Sequence, residues 1–136
     1  TQMSRQFLTG VATLPHVTVH GITDLGRVSE RVPTFSFTVR GMDAETVAER
    51  FAARNQFVWA GSFYAMEIAQ RLGVWESGVV RFGLAHYNTA AEVDALLGHL
   101  AETGRCRPGC RPAPGWVSSD TGAEALAQRP AAQRRV

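Results

Sequence analysis

The sequence reads as an α+β or α/β layered domain, a small sheet with helices packed on it. Three observations carry that expectation. Residues 34–39 alternate strictly between Phe or Val and Ser or Thr, the two-residue period of a strand with one buried face. Phe7, Leu8, Val11 and Leu14, then Val93, Leu96, Leu97 and Leu100, recur at helical spacing. Gly and Pro punctuate the junctions, at Pro15, Pro33, Gly41, Gly61, Gly73 and Gly104. A length of 136 residues suits one domain with a real core.

The elements follow in order. Residues 4–14 are helical, and Pro15 stops them. Residues 17–21 alternate as a strand, and residues 24–32 form a polar connection containing Gly26. The strand at 34–39 ends at Gly41. Asp43 is a good N-cap for a helix whose stripe is Val47 and Phe51, with Ala44 and Ala48, running to about Arg54. Residues 57–59 form a short strand, and Gly61 leads into a short helix at 64–72 closed by Gly73. Residues 79–84 form a central strand. Asn88 or Thr89 caps the last helix, and Thr89 with Glu92 has the spacing of a capping box. Strand order is left open by pattern alone.

Bulk properties exclude several roles. Apolar and charged fractions of 45% and 19% are those of an ordinary globular chain. No apolar run is long enough to span a membrane, and residues 1–5 lack the charged-then-apolar pattern of a signal peptide, so a cytoplasmic setting is expected. The chain does not begin with Met, and a fragment of a longer protein is expected. The formal charge of +2 is uneven: residues 1–102 carry eight Arg against ten acids, and residues 103–136 carry six Arg against two. The basic excess sits in an Arg-, Pro- and Ala-rich tail, residues 104–136, expected to be disordered. Basic residues interleaved with aromatics are missing there, so no nucleic-acid partner is expected. Cys106 and Cys110 have no further Cys or His to complete a metal set, so no metal is expected. All fourteen basic residues are Arg, so no side-chain amine is available for a Schiff base.

One stretch, residues 80–93, concentrates the chemistry. It reads as a buried strand, a turn and a capped helix, with Arg81 inside the strand. An arginine in such a place is costly without an anionic partner. The partner is either a core carboxylate, for instance Glu67 or Glu76, or a carboxylate brought by a substrate. His86 and Tyr87 read as a turn pair packing on the final helix, Asn88 and Thr89 as caps, and His16 and His20 as structural histidines.

The segments Val32-Pro33-Thr34-Phe35-Ser36-Phe37, Phe57-Val58-Trp59-Ala60-Gly61-Ser62-Phe63-Tyr64-Ala65 and Arg81-Phe82-Gly83-Leu84-Ala85-His86-Tyr87-Asn88-Thr89-x-x-Glu92-Val93 resemble the C-terminal small domain of class V aminotransferases. The cysteine desulfurase-like branch is the nearest match, over roughly residues 15–102. The resemblance implies a fold type I pyridoxal-phosphate enzyme, whose small domain (residues 1–103 here) has a mostly antiparallel sheet with helices packed on one side. It implies pyridoxal 5′-phosphate in the parent enzyme, an amino-acid substrate and a homodimer. The lysine would sit in a large domain missing from this chain, which by itself is expected to be inert and to hold no cofactor. Arg81 matches the arginine that pairs with the substrate's α-carboxylate. Trp59, Phe63 and Tyr64 match the loop at the substrate mouth, with Trp59 and Tyr64 the pocket residues singled out. True desulfurases resemble Arg-x-Gly-x-x-Cys in this loop; anchored on Gly61, Trp59 stands at the arginine position and Tyr64 at the cysteine position. Tyr has no sulfur and accepts no persulfide. The alternative expectation is a non-catalytic, stand-alone α+β small-molecule-binding or interaction module.

Overall fold

The structure is a computed structural model and describes residues 2–104. Helix α1 (Gln2–Val11) leads to strand β1 (Val17–His20), and a short 3-10 helix (Leu25–Glu30) leads to β2 (Thr34–Val39). Then come α2 (Ala44–Ala52), β3 (Trp59–Gly61), α3 (Met66–Arg71), β4 (Val79–Gly83) and α4 (Ala90–Thr103). The four strands form one sheet in the order β1-β2-β4-β3, and each neighbouring pair is antiparallel. The α+β expectation with a small antiparallel sheet is therefore met. Residues 105–136 of the expected tail, with Cys106 and Cys110, lie outside the described residues.

One face of the sheet is the core. Phe35, Phe37 and Val39 of β2 and Val80 and Phe82 of β4 are buried. Phe7, Leu8 and Val11 of α1, Val47 and Phe51 of α2, and Val93, Leu96 and Leu100 of α4 join them in one cluster. Phe7 sits 4.6 Å from Phe35 and 4.9 Å from Phe82 between ring centroids, tilted and edge-on. Such offset geometries suit the ring quadrupoles. Gly10 lets α1 lie directly on α4: a Cβ there would collide with the Leu97 side chain.

The caps are local and satisfied. Thr89 N–H donates to Glu92 Oε2 at 2.6 Å and Glu92 N–H donates back to Thr89 Oγ1 at 3.3 Å, the reciprocal capping box. Asp43 Oδ1 accepts from Thr46 N–H at 2.7 Å at the start of α2. That backbone bond holds the Asp43 carboxyl below its ordinary pKa. The sign for stability follows: a depressed carboxyl stabilises above its unfolded pKa and loses that contribution as pH falls through the folded one. Asp43→Ala is expected to cost about 1 kcal/mol near neutral pH. Urea unfolding should show the gap between the two proteins closing in acid, below the ordinary carboxylate range; a gap unchanged there would mean the charge is irrelevant to the cap.

Two differences from expectation bear on the site. The short strand is residues 59–61, not 57–59. Its place is set by pairing with β4, where Trp59 faces Arg81 and Gly61 faces Val79, while Gln56 N–H still bonds back to Phe51 O at the end of α2. Phe57 is left 80% exposed. The second difference concerns Arg81. Its strand is covered on one face only: Val80 and Phe82 are buried, and Arg81 and Gly83 are exposed. A two-residue period puts alternate side chains on opposite faces, so Arg81 lies on the uncovered side. The burial cost that demanded an anionic partner therefore does not arise.

Candidate functional site

The uncovered face carries a row of residues running across all four strands. His20 pairs with Ser36, Ser36 with Arg81, and Arg81 with Trp59. Directly opposed residues in antiparallel strands share a face, so the four side chains stand on one side. The helices α1, α2 and α4 cover the other side. The short helix α3 borders the row, and between them lies a groove of about 570 Å³. Its lining includes His20, Ser36 and Arg81 from the strands, Ser62 and Phe63 from the loop after β3, and Ile68 and Leu72 from α3.

Arg81 has no ion pair or hydrogen bond to its guanidinium among the described residues; neither Glu67 nor Glu76 reaches it. Its contact is with an aromatic ring: the guanidinium carbon lies 4.2 Å from the Phe63 ring centroid. A cation over a ring face gains about 0.5–1 kcal/mol at an exposed site. A guanidinium's N–H edge matches a carboxylate as a fork with two parallel hydrogen bonds, and the Arg81 guanidinium makes no such bond among the described residues.

The loop that brings Phe63 to this position is strained. Phe63 and Tyr64 have φ of 53° and 58°, two successive non-glycine residues in the left-handed region. Each costs roughly 1–2 kcal/mol for an L-residue, and such strain persists where the surroundings over-determine it. Gly61, at φ 131°, supplies the turn before them.

The other residues singled out from sequence fall as follows. Trp59 stands beside Arg81 in the row, 72% exposed, outside the groove lining. Tyr64 is fully exposed and also outside the lining. The loop reaches the groove through Ser62, Phe63 and Ala65 instead, because the left-handed turn directs successive side chains apart. His86 and Tyr87 form an edge-to-face pair at 5.3 Å, away from the groove. Asn88 Oδ1 accepts from Ala85 N–H at 2.7 Å and closes the turn before the capping box. His16 is structural, its Nε2 2.8 Å from Leu100 O.

His20 differs from expectation in position: it lines the groove. Partial burial pushes its pKa below the ordinary imidazole value, so the ring is neutral at neutral pH. Its Nε2 lies 3.4 Å from Thr38 Oγ1. Ser36 is the residue that the sequence least announces. Its polar position between Phe35 and Phe37 was visible, but its place between His20 and Arg81 follows only from strand pairing. Among the described residues no cluster of His, Cys, Asp and Glu could hold a metal ion, and no helix is long and apolar enough to cross a membrane.

Comparison with known proteins bears on the family and the fold. Residues 1–96 match the family model Aminotransferase class-V. An aminotransferase-like protein of Gibberella zeae is 40% identical over 85 residues, covering 61% of this chain and 21% of that protein. An uncharacterized protein of Mycobacterium tuberculosis is 37% identical over 81 residues, covering 59% of this chain and 20% of that protein. The chain thus spans about a fifth of the length of these relatives. Among solved structures, a cysteine desulfurase from Thermococcus onnurineus superposes with a TM-score of 0.68 at 25% identity, over 76% of this chain and 24% of that one. A NifS-like protein from Rickettsia africae superposes with a TM-score of 0.59 at 20% identity, over 77% of this chain and 28% of that one. The antiparallel sheet, the resembling motifs and a match over residues 1–96 agree: the chain belongs to the class V aminotransferase family, as a cysteine desulfurase-like segment of it.

Proposed function

We propose that this chain is the substrate-closing C-terminal domain of a pyridoxal-phosphate enzyme that acts on an amino acid. The observation that carries this is Arg81: an exposed guanidinium, without a carboxylate partner among the described residues, steadied on Phe63 at an open groove. In this role Arg81 takes the α-carboxylate, and fixing that group orients the rest of the substrate. Ser36 and Ser62 supply neutral hydrogen-bonding groups beside it.

The family depends on pyridoxal phosphate, which acts as an electron sink when bound. The residues of this chain do not fit covalent attachment of that cofactor, since it contains no lysine. The lysine and the cofactor therefore belong, in this proposal, to a large domain beyond this sequence. The parent would be a cytoplasmic homodimer. The loop at Trp59 and Tyr64 offers neither the arginine nor the cysteine of desulfurases, so sulfur transfer through a loop persulfide is not part of the proposed reaction.

Pyridoxal phosphate added to the purified chain is the test. No chromophore should remain bound at one-to-one stoichiometry after gel filtration, and no amino-acid turnover should be detected. A stable stoichiometric chromophore would overturn the two-domain assignment and favour a self-sufficient binding module.

A further inference from the structure

The groove also indicates which amino acids would enter it, an inference that rests on Arg81 being the carboxylate site. Arg81 is the one formally charged side chain in the described lining, because His20 is held neutral by its surroundings. Besides Arg81, His20, Ser36 and Ser62, the lining side chains are apolar, with Ala65, Ile68, Leu72, Val74 and Val79 among them. Ile68 and Leu72 are left 62% and 45% exposed by the rest of the molecule. From His20 to Arg81 the row spans two strand spacings, about 10 Å. The volume of about 570 Å³ far exceeds what a thiol or methyl side chain fills, and is within the range of sites for whole organic ligands.

We propose that the groove selects α-amino acids with long apolar side chains, the carboxylate on Arg81 and the side chain laid along Ile68, Leu72 and Val79. A second charge on the ligand would lie against the apolar wall of Ile68, Leu72 and Val79, where no oppositely charged side chain stands among the described lining residues. A short side chain would leave those walls in water. Each methylene fully buried is worth about a fourfold gain in affinity.

The test is titration of the full chain, followed by NMR, with alanine, norvaline, norleucine, lysine and glutamate. Binding is expected to tighten at least tenfold from alanine to norleucine, with methyl shifts at Ile68, Leu72 and Val79. Lysine and glutamate should bind no more tightly than alanine. Leu72→Ser, at the C-terminal end of α3, should weaken norleucine binding more than alanine binding, and an unchanged melting curve would show that folding is retained. Arg81-dependent binding that ignores chain length would overturn the selectivity and leave the carboxylate assignment standing. Norleucine binding that survives Arg81→Ala, or no binding of any of the five, would overturn both. Groove shifts that track protein concentration rather than ligand would assign the groove to a second copy of the chain and also overturn the proposal.

Discussion

Replacing Arg81 by alanine in the proposed two-domain parent enzyme is expected to lower kcat/KM for its amino-acid substrate about 30- to 150-fold. That range corresponds to about 2–3 kcal/mol, the usual cost of losing a charged hydrogen-bond pair. The effect should appear in kcat as well as KM, because in the proposed role the arginine orients the reacting carbon besides holding the carboxylate. Arg81→Lys should recover only part of the loss, since an ammonium keeps the charge but lacks the planar fork. Stability should change little. The side chain is exposed and makes no ion pair among the described residues, and surface substitutions of that kind usually stay within about 0.5 kcal/mol. Unchanged kinetics in Arg81→Ala would make the residue a surface arginine and remove the carboxylate assignment.

The largest loss of stability is expected at Phe35. This ring is fully buried, 4.6 Å from Phe7 and 5.3 Å from Phe82 between centroids, and so joins α1 to both central strands. Phe35→Ala removes those contacts and leaves a cavity that close-packed neighbours fill only partly, at about 3–5 kcal/mol. A domain of this size has roughly 5–15 kcal/mol in total, so the variant should melt more than about 10 °C lower. Phe35→Leu keeps most of the volume and should lose less. Urea and thermal unfolding by circular dichroism measure both. A Phe35→Ala melting point within a few degrees of the parent's would mean that the ring is not a keystone of the core.

Arg81 shows how far residue patterns reach. The residue itself stood out, and its resemblance to a carboxylate-binding arginine was legible from the motif around it. Its environment was not. The run Val79-Val80-Arg81-Phe82-Gly83-Leu84 contains enough apolar residues to pass for a strand buried on both faces. The sheet is covered on one face only, and that is a property of where α1, α2 and α4 pack. Tyr64 makes the same point. Gly61 anchored its place in the loop by resemblance, but a left-handed φ at both Phe63 and Tyr64 sends Phe63 to the guanidinium and Tyr64 to solvent. No propensity argument places two such residues in succession.

Periodicity and capping chemistry act within a few residues, and they were readable directly. The alternation at residues 34–39, the Asp43 cap and the Thr89–Glu92 box are local bargains between neighbouring groups, and each recurs in the structure. The absence of lysine, which denies this chain a covalent hold on the family's cofactor, is likewise a matter of sequence alone. The row His20–Ser36–Arg81–Trp59 is different. Its members are up to 61 residues apart and meet only through antiparallel register. Register is chosen by which faces the helices bury, so the site's composition was decided when Phe7, Phe35 and Phe82 packed together, not by any motif.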